Sequence, residues 1–524
     1  MGAGGGERVN LENMRAYADD EIVDVVVVGT GAGGAPLLAE MARRGLSAVA
    51  FEAGRNFDLD DFTTDETEAV RINWMSERLS GGADPTAFGA NNSGIGVGGS
   101  TLHWGAFAPR PDRRDLRLRS ETGEGRDWPL DPEELLRYVV RVEGDIGVSG
   151  PVPYPWDSDR AYAYKAPARN GSADIVARGA DALGIRTADA PAAVLTRARL
   201  QPYLGERGSC QSCGACHQGC RFSAKATMAT TYLPAAIALG AEIRAESMVH
   251  GIELDARGHV EAVVYRRDGV ERRQRCRALV LAAGGIETPR LLLHTGLANS
   301  SGQVGRNFLA HGATQVWGRF DEAVRAYRGY PSSLISEDML RPADADFAGG
   351  YLLQSLGVMP LTYATTLARG GGMWGRELVE RALDARFYAG IGMNGECLPA
   401  EANRLELVDE LDEWGIPRAR IDFTAGANEK ALDAHATRTM ESIMRAAGAS
   451  ETIVLTRTAH TVGTCRMSSD PGDGVVDADG RSHDIPNLWI SDNSVFPSSL
   501  AANPAPTIMA MSLRTADRML ASAD

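Results

Sequence analysis

Cysteine is scarce, with seven in 524 residues. That is too few to staple a chain of this length into a disulfide scaffold, so in a reducing compartment they are expected as thiols or ligands. Positive charge is also short. Lys and Arg number 54 against 69 Asp and Glu, a net charge of −15; this argues against a nucleic-acid binder, which must neutralise phosphates with clustered cations. The same imbalance suits either a cationic substrate or plain acidic solubility. No charged segment followed by an apolar core opens the chain, and no apolar run is long enough to span a bilayer. The expected compartment is therefore the cytoplasm. Repeats, heptads and low-complexity linkers are missing too, which leaves no sign of a structural or assembly role. The one biased stretch is the opening MGAGGGER, expected to be a frayed end.

What is present is ordinary in bulk and specific in detail. Hydrophobic residues at 44% and charged residues at 23% allow a large core. The length suits two interleaved domains. Residues 22–54 read IVDVVVVGTGAGGAPLLAEMARRGLSAVAFEAG, opening with a β-branched run suited to a strand buried on both faces. Gly29, Gly31 and Gly34 then form G-x-G-x-x-G. The first makes the tight turn, the second lets backbone approach a pyrophosphate, and the third permits close helix-on-strand packing. The pyrophosphate would rest on the helix N-terminus. Leu37 and Met41 share a face of that helix, Gly45 ends it, and Glu52 closes the next strand 23 residues after Gly29. An acid there can accept from adenosine ribose hydroxyls. The motif by itself serves NAD or FAD.

Three further segments choose between them. Residues 94–105 read GIGVGGSTLHWG, residues 278–296 read ALVLAAGGIETPRLLLHTG, and residues 460–511 run from HTVGTCRM through NLWISDNSVFPSSLAANPAPTIMAM. These, with VGRNFLAHG at 304–312, closely resemble the glucose-methanol-choline (GMC) oxidoreductases, in the same order over nearly the whole chain. The resemblance implies an α/β fold (α+β overall): a Rossmann-type FAD-binding domain under a substrate cap built on an antiparallel sheet. It places 20–110, 201–312 and 455–524 in the FAD domain and 111–200 and 313–454 in the cap. It also implies that the GIGVGGSTLHWG segment, with Gly98 and Gly99, wraps the flavin, and that Asp492 stands near the flavin diphosphate and ribityl chain. Asp492 reads equally as a strand-end turn residue.

The chemistry implied is removal of a hydroxyl proton as hydride leaves carbon for flavin N5. A base must stand opposite the ring, and histidine suits that task near neutral pH. By resemblance His460 is that base and Asn503 its partner, orienting the hydroxyl. Many family members carry a second histidine where Asn503 stands; asparagine is found in sterol-, sugar- and polyol-oxidising branches. Independently of the family, Asn503 followed by Pro504 reads as an N-cap and first-turn pair, so a helix is expected to start at Asn503, with Met509, Leu513, Ala516 and Leu520 as its apolar stripe. Its positive end would stabilise charge developing on the flavin. His103, in STLHW, matches both the pyranose oxidase pattern, where the histidine is bonded to the flavin, and sugar dehydrogenases where it is not; packing beside the ring is the other reading.

Cys210, Cys213, Cys216 and Cys220 fall within eleven residues in C-x2-C-x2-C-x3-C spacing. That is a bacterial ferredoxin run with Arg221 in place of the usual proline, so the four are candidate iron–sulfur ligands, three of which can suffice. Zinc usually draws on two separated pairs. Reduced thiols without metal are the alternative. His217 lies among them but is not expected to be a ligand. Similar clusters occur in the branch of flavin-dependent sugar dehydrogenases and long-chain alcohol oxidases, and in the dehydrogenases they relay electrons outward. The expected substrate is a sugar, glycoside or polyol. Sterols, long-chain alcohols, or a flavin-binding electron-transfer subunit without a substrate are the alternatives. The electron acceptor, whether oxygen, a quinone or a redox protein, stays open. Gly370, Gly371 and Gly372, followed by Met373 and Trp374, read as a loop that either gates the pocket or simply crosses the surface.

Overall fold

The β-branched side chains of Ile22–Val28 leave Val23, Val26 and Val27 with no exposed surface. Such a strand must be covered on both faces and paired on both edges. In the computed structural model, which describes residues 9–74, 78–86 and 93–523, it is the centre of a seven-stranded sheet. The opening MGAGGGER lies outside the described residues. On one side Ala48–Phe51 and then Glu242–Arg244 run parallel to the central strand; on the other Val270–Leu281 runs parallel to it, Val28 level with Leu281. Leu488–Ile490 adds a further parallel strand against Leu279–Leu281. The hairpin Met248–Leu254 and Val260–Arg267 extends the sheet antiparallel.

The turn after the first strand is closed by its own backbone. Gly29 has φ +103°, and a Cβ there would lie 2.3 Å from the carbonyl oxygen of Ala282; at Gly34 a Cβ would lie 2.0 Å from the oxygen of Gly29. No other residue fits either position. The helix Ala35–Arg43 follows, burying Leu37 and Met41, and ends at Gly45 with φ +77°.

A second sheet of eight strands is antiparallel throughout. Its spine is Glu451–Leu455, Gln315–Arg319, Tyr388–Gly395, Tyr351–Leu356, Leu334–Ser336 and Ala188–Asp189. Leu309–Gly312 joins it to Thr458–Val462. Helices Gly171–Ala182 and Ala427–Ala446 pack on this sheet, whereas Pro132–Ile146 packs on the C-terminal helix beside the first sheet. Among the described residues no helix is long and apolar enough to cross a membrane.

Two local expectations are corrected. The C-terminal helix spans Ala505–Ala523, and its first turn is closed by the Ile508 N–H on the Pro504 carbonyl, not by a cap from Asn503. The amide of Asn503 is engaged elsewhere, as described below. The stripe itself is as expected, with Met509, Leu513 and Ala516 fully buried. The Gly370–Gly372 stretch is no open loop: Gly370 and Gly371 complete the helix Pro360–Gly371, and Gly372 at φ +62° turns the chain toward a second helix, Gly375–Leu383. Gly372 is the left-handed residue that ends the helix, the place where glycine is favoured.

Candidate active site

One continuous cavity runs from Gly29, Gly31 and Glu52 on the first sheet to Gln354, Asn394 and His460 on the second. At its first end, Gly31 differs from its neighbours: the nearest protein atom to a Cβ there is the Gly99 Cα at 3.7 Å, an ordinary contact. Nothing in the protein requires glycine at Gly31, whereas a phosphate lying against the turn would. Gly98 and Gly99 close over this loop. The Gly98 N–H donates to Thr30 Oγ1 at 3.1 Å, and a Cβ on Gly99 would come within 2.7 Å of the Gly31 Cα.

Glu52 is buried, and its carboxylate accepts from Thr30 Oγ1 (2.7 Å), Gly54 N (3.1 Å) and Gly96 N (3.1 Å). Burial pushes its carboxyl up and these donors oppose the rise. Asp492 accepts from Gly284 N (2.8 Å), Thr288 Oγ1 (2.6 Å) and Ser494 N (2.8 Å), tying its turn to the start of the helix Gly284–Thr295. Both acids therefore shape the cavity wall. The glycine turn, the helix behind it and the buried acid at the strand end fit the dinucleotide of FAD, and the rest of the cavity continues to the chemical end.

There His460 sits in the strand Thr458–Val462, where the pairing slips by one residue between Ala310 and His311. His460 is the extra residue of this bulge and has φ +53°. A bulge re-aims a side chain, and a left-handed non-glycine residue costs about 1–3 kcal/mol. Here the imidazole lines the cavity together with Asn503 and Pro504. Asn503 Nδ2 lies 3.3 Å from His460 Nε2, and Asn503 Oδ1 accepts from Asn394 Nδ2 at 2.9 Å. The donor from Asn503 makes Nε2 the lone-pair nitrogen of His460 and leaves the proton on Nδ1. Burial, with His311 and Arg457 nearby, holds the imidazole well below its ordinary range, so it rests unprotonated.

His311, the histidine of VGRNFLAHG, stands edge to face with His460 at 5.0 Å between ring centroids. Its Nε2 donates to the Leu500 carbonyl at 2.8 Å, and burial lowers it to about 4. The Nδ1 atoms of both rings are buried without a hydrogen-bond partner. Leu500 is itself left-handed at φ +66°, and the turn is gripped by two buried carboxyls: Glu396 accepts from Leu500 N (2.9 Å) and Asp115 from Ala501 N (3.0 Å). This clamp aims Asn503. Sequence reading missed Asn394, Glu396 and Asp115, which belong to no motif.

His103 also lines the cavity; its Nε2 is buried and unpartnered, and burial with Lys225 and His217 nearby lowers it to about 3. Against it stands His217, Nδ1 3.2 Å from the His103 carbonyl oxygen, lowered by burial to about 4. His217, set aside in the sequence, thus belongs to the cavity wall.

The expected metal ligands are not brought together. Cys213 is exposed and Cys210, Cys216 and Cys220 are half-buried; among the described residues no three His, Cys, Asp or Glu side chains gather to hold a metal. The loop is shaped by other demands. Lys225 Nζ donates to the Cys216 carbonyl (2.6 Å) and to those of Leu102 (2.8 Å) and Trp104 (3.1 Å), while Gly219 packs on Phe62. As folded, Cys210, Cys213, Cys216 and Cys220 do not fit an iron–sulfur cluster.

Comparison with known proteins agrees with the cavity. Models described as GMC oxidoreductase match residues 85–313 and 399–512. The fructose dehydrogenase large subunit of Gluconobacter japonicus is 30% identical over 95% of this chain and 97% of its own. The 2-methyl-1,2-propanediol dehydrogenase of Mycolicibacterium austroafricanum is 30% identical over 96% of each. Paromamine 6'-oxidase of Streptomyces fradiae is 27% identical over 95% of this chain and 91% of its own. Among solved structures, pyridoxine 4-oxidase from Mesorbium loti superposes with a TM-score of 0.66 at 16% identity, over 95% of this chain and 99% of that one.

Proposed function

Because the chain belongs to the GMC oxidoreductases, we propose that it oxidises a CH–OH group of a sugar, glycoside or polyol to the carbonyl, with FAD in the cavity between its two sheets. Bound FAD would supply the hydride acceptor. The observation that carries the reading is the pairing of His460 Nε2 with Asn503 Nδ2 at 3.3 Å, in the cavity that begins at the glycine turn.

At that length the contact is weak and readily opened by a hydroxyl. The substrate oxygen accepts from Asn503 Nδ2–H while its own proton points at His460 Nε2. Each group then does what its protonation allows: the neutral imidazole takes the proton, and the amide holds the oxygen so that the carbinol carbon is fixed as its hydrogen departs. Asn394 keeps the amide turned the right way. Gly29, Gly31, Gly34, Glu52, Gly98, Gly99, His103, Asp492 and Pro504 are the residues we assign to holding the cofactor.

Polar groups on the second sheet favour a hydroxyl-rich substrate over a sterol or long-chain alcohol. Gln315, Gln354 and Asn394 line the cavity, and each amide left without a partner in an apolar complex costs about 1–3 kcal/mol. The three relatives named above act on polar alcohols by name, which supports the same class. No electron-transfer step is assigned to the cysteine loop; a cluster there would have to draw three sulfurs together from their present places. The test is anaerobic titration of the purified flavoprotein with sugars, polyols and sterols. Bleaching of the flavin by a polyhydroxy alcohol is expected, and an unbleached flavin across the panel would refute the proposal.

A further inference from the structure

Arg457 lies three residues before His460, at the end of the turn that enters the catalytic strand, and lines the same cavity. Its backbone is fixed, the carbonyl accepting from Ala313 N at 2.9 Å. Its side chain is not: among the described residues the guanidinium makes no hydrogen bond and no ion pair. Half-buried at the cavity wall, its five N–H donors on a permanent cation have no protein acceptor among the described residues and are open to a ligand.

The other arginines of the cavity have carboxylate partners among the described residues. Arg78 and Arg290 share Glu287, and Arg290 also binds Asp412. Glu52 and Asp492 are saturated by the donors given above. Burial alone pulls Arg457 below its ordinary range, with no described carboxylate acting against it. The fields of Arg457 reach both His460 and His217 and lower each, which places the guanidinium in the chemical half of the cavity.

We propose that Arg457 forms an anion-recognising subsite of the substrate cavity, and that the preferred substrate is a polyhydroxy acid, an aldonate or uronate, whose carboxylate meets Arg457 while a hydroxyl meets His460 and Asn503. The inference rests on the alcohol-oxidation reading and narrows it. A guanidinium takes a carboxylate through two parallel hydrogen bonds, a geometry a neutral hydroxyl cannot match. It also disfavours aminosugars in this cavity, whatever the net charge of −15 on the whole chain suggests. The carboxylate is a handle and is unchanged by the reaction; the carbinol alone loses proton and hydride.

The experiment compares gluconate, glucitol and glucamine, which share a carbon skeleton, as reductants of the flavin in the purified holoenzyme, wild type and Arg457→Gln. Wild type should show a KM for gluconate at least tenfold below that for glucitol, with glucamine weakest, and Arg457→Gln should close the gluconate-to-glucitol gap about tenfold. Arg457→Lys should restore part of it. In parallel, glutarate, which has no hydroxyl to oxidise, is titrated calorimetrically against the same proteins; it should bind wild type and lose at least tenfold in Arg457→Gln. Equal KM values for gluconate and glucitol in wild type, or a ratio and a glutarate affinity unmoved by Arg457→Gln, would overturn the subsite. Were no compound to reduce the flavin while glutarate binding still depended on Arg457, the alcohol reading would fall and the subsite would stand.

Discussion

The placement of His460 and Asn503 on one hydroxyl makes a quantitative demand on their mutual dependence. Replacing His460 by Ala removes the proton acceptor, a loss of 10²- to 10⁴-fold, or about 2.7–5.4 kcal/mol of barrier. Replacing Asn503 by Ala removes one hydrogen bond, strengthened as charge builds on the oxygen, about 1.5–3 kcal/mol or roughly 10- to 100-fold. Were the two independent, the double variant would lose the product of both factors. They are 3.3 Å apart and share one substrate oxygen. Once the base is gone, no charge develops for the amide to stabilise, so the double variant should be within about threefold of His460→Ala alone. The assay is the anaerobic rate of flavin bleaching by stopped flow, with flavin content and melting temperature as controls. Asn394→Ala, which releases the Asn503 amide but leaves it in place, should cost the rate of flavin reduction less than Asn503→Ala. A double variant slowed by the full product, or a His460→Ala enzyme reduced at the wild-type rate, would refute the arrangement.

Other consequences follow from the same contacts. Gly31→Ala should fold with apoprotein stability within about 0.5 kcal/mol of wild type yet purify without FAD, whereas Gly29→Ala, with a Cβ 2.3 Å from Ala282 O, should lose folding as well; flavin absorbance and melting of the apoproteins separate the two. The rate of flavin reduction should show no fall near pH 6.5 on acidification, because His460 is held well below that value and stays a base. A His460-dependent limb centred on 6.5 would contradict this. His217, at about 4 against its ordinary 6.5, takes up its proton in the unfolded chain first, so it costs stability as pH falls from 6.5 toward 4, about 3 kcal/mol in total. The advantage of wild type over His217→Gln, read from denaturant midpoints, should therefore shrink across that interval.

The first sheet and its turn were legible because their constraints are local. A β-branched run, glycines whose missing Cβ atoms face backbone, and an acid at a strand end each leave a mark on a few adjacent letters. His460 and Asn503 were legible through the family resemblance, but the bulge that aims His460 was not, since it depends on pairing with Ala310 and His311 some 150 residues earlier. Asn503 looked like a helix cap because asparagine before proline has that local use; a longer-range partner, Asn394, claims its amide. Arg457 carried no signal, being one of many arginines until its lack of a partner is seen in three dimensions. Cysteine spacing worked the other way. It suggested a ligand set, while glycine turns and the Lys225 anchor set the positions of the sulfurs.

The short strand Leu488–Ile490, laid against Val270–Leu281, bears on how the protein is made. It brings Ser491 over the glycine turn, where the carbonyl of Ser491 leaves no room for a Cβ on Gly33, and it carries Asp492 to the helix at Gly284. The segment of the first strand therefore leaves the ribosome early, but the nucleotide site lacks one wall until some 490 residues have been added. Contacts this distant in sequence form slowly. Nascent chains halted before residue 488 should not retain flavin, so that cofactor capture belongs to the end of synthesis and a shortage of FAD would be felt by finished chains.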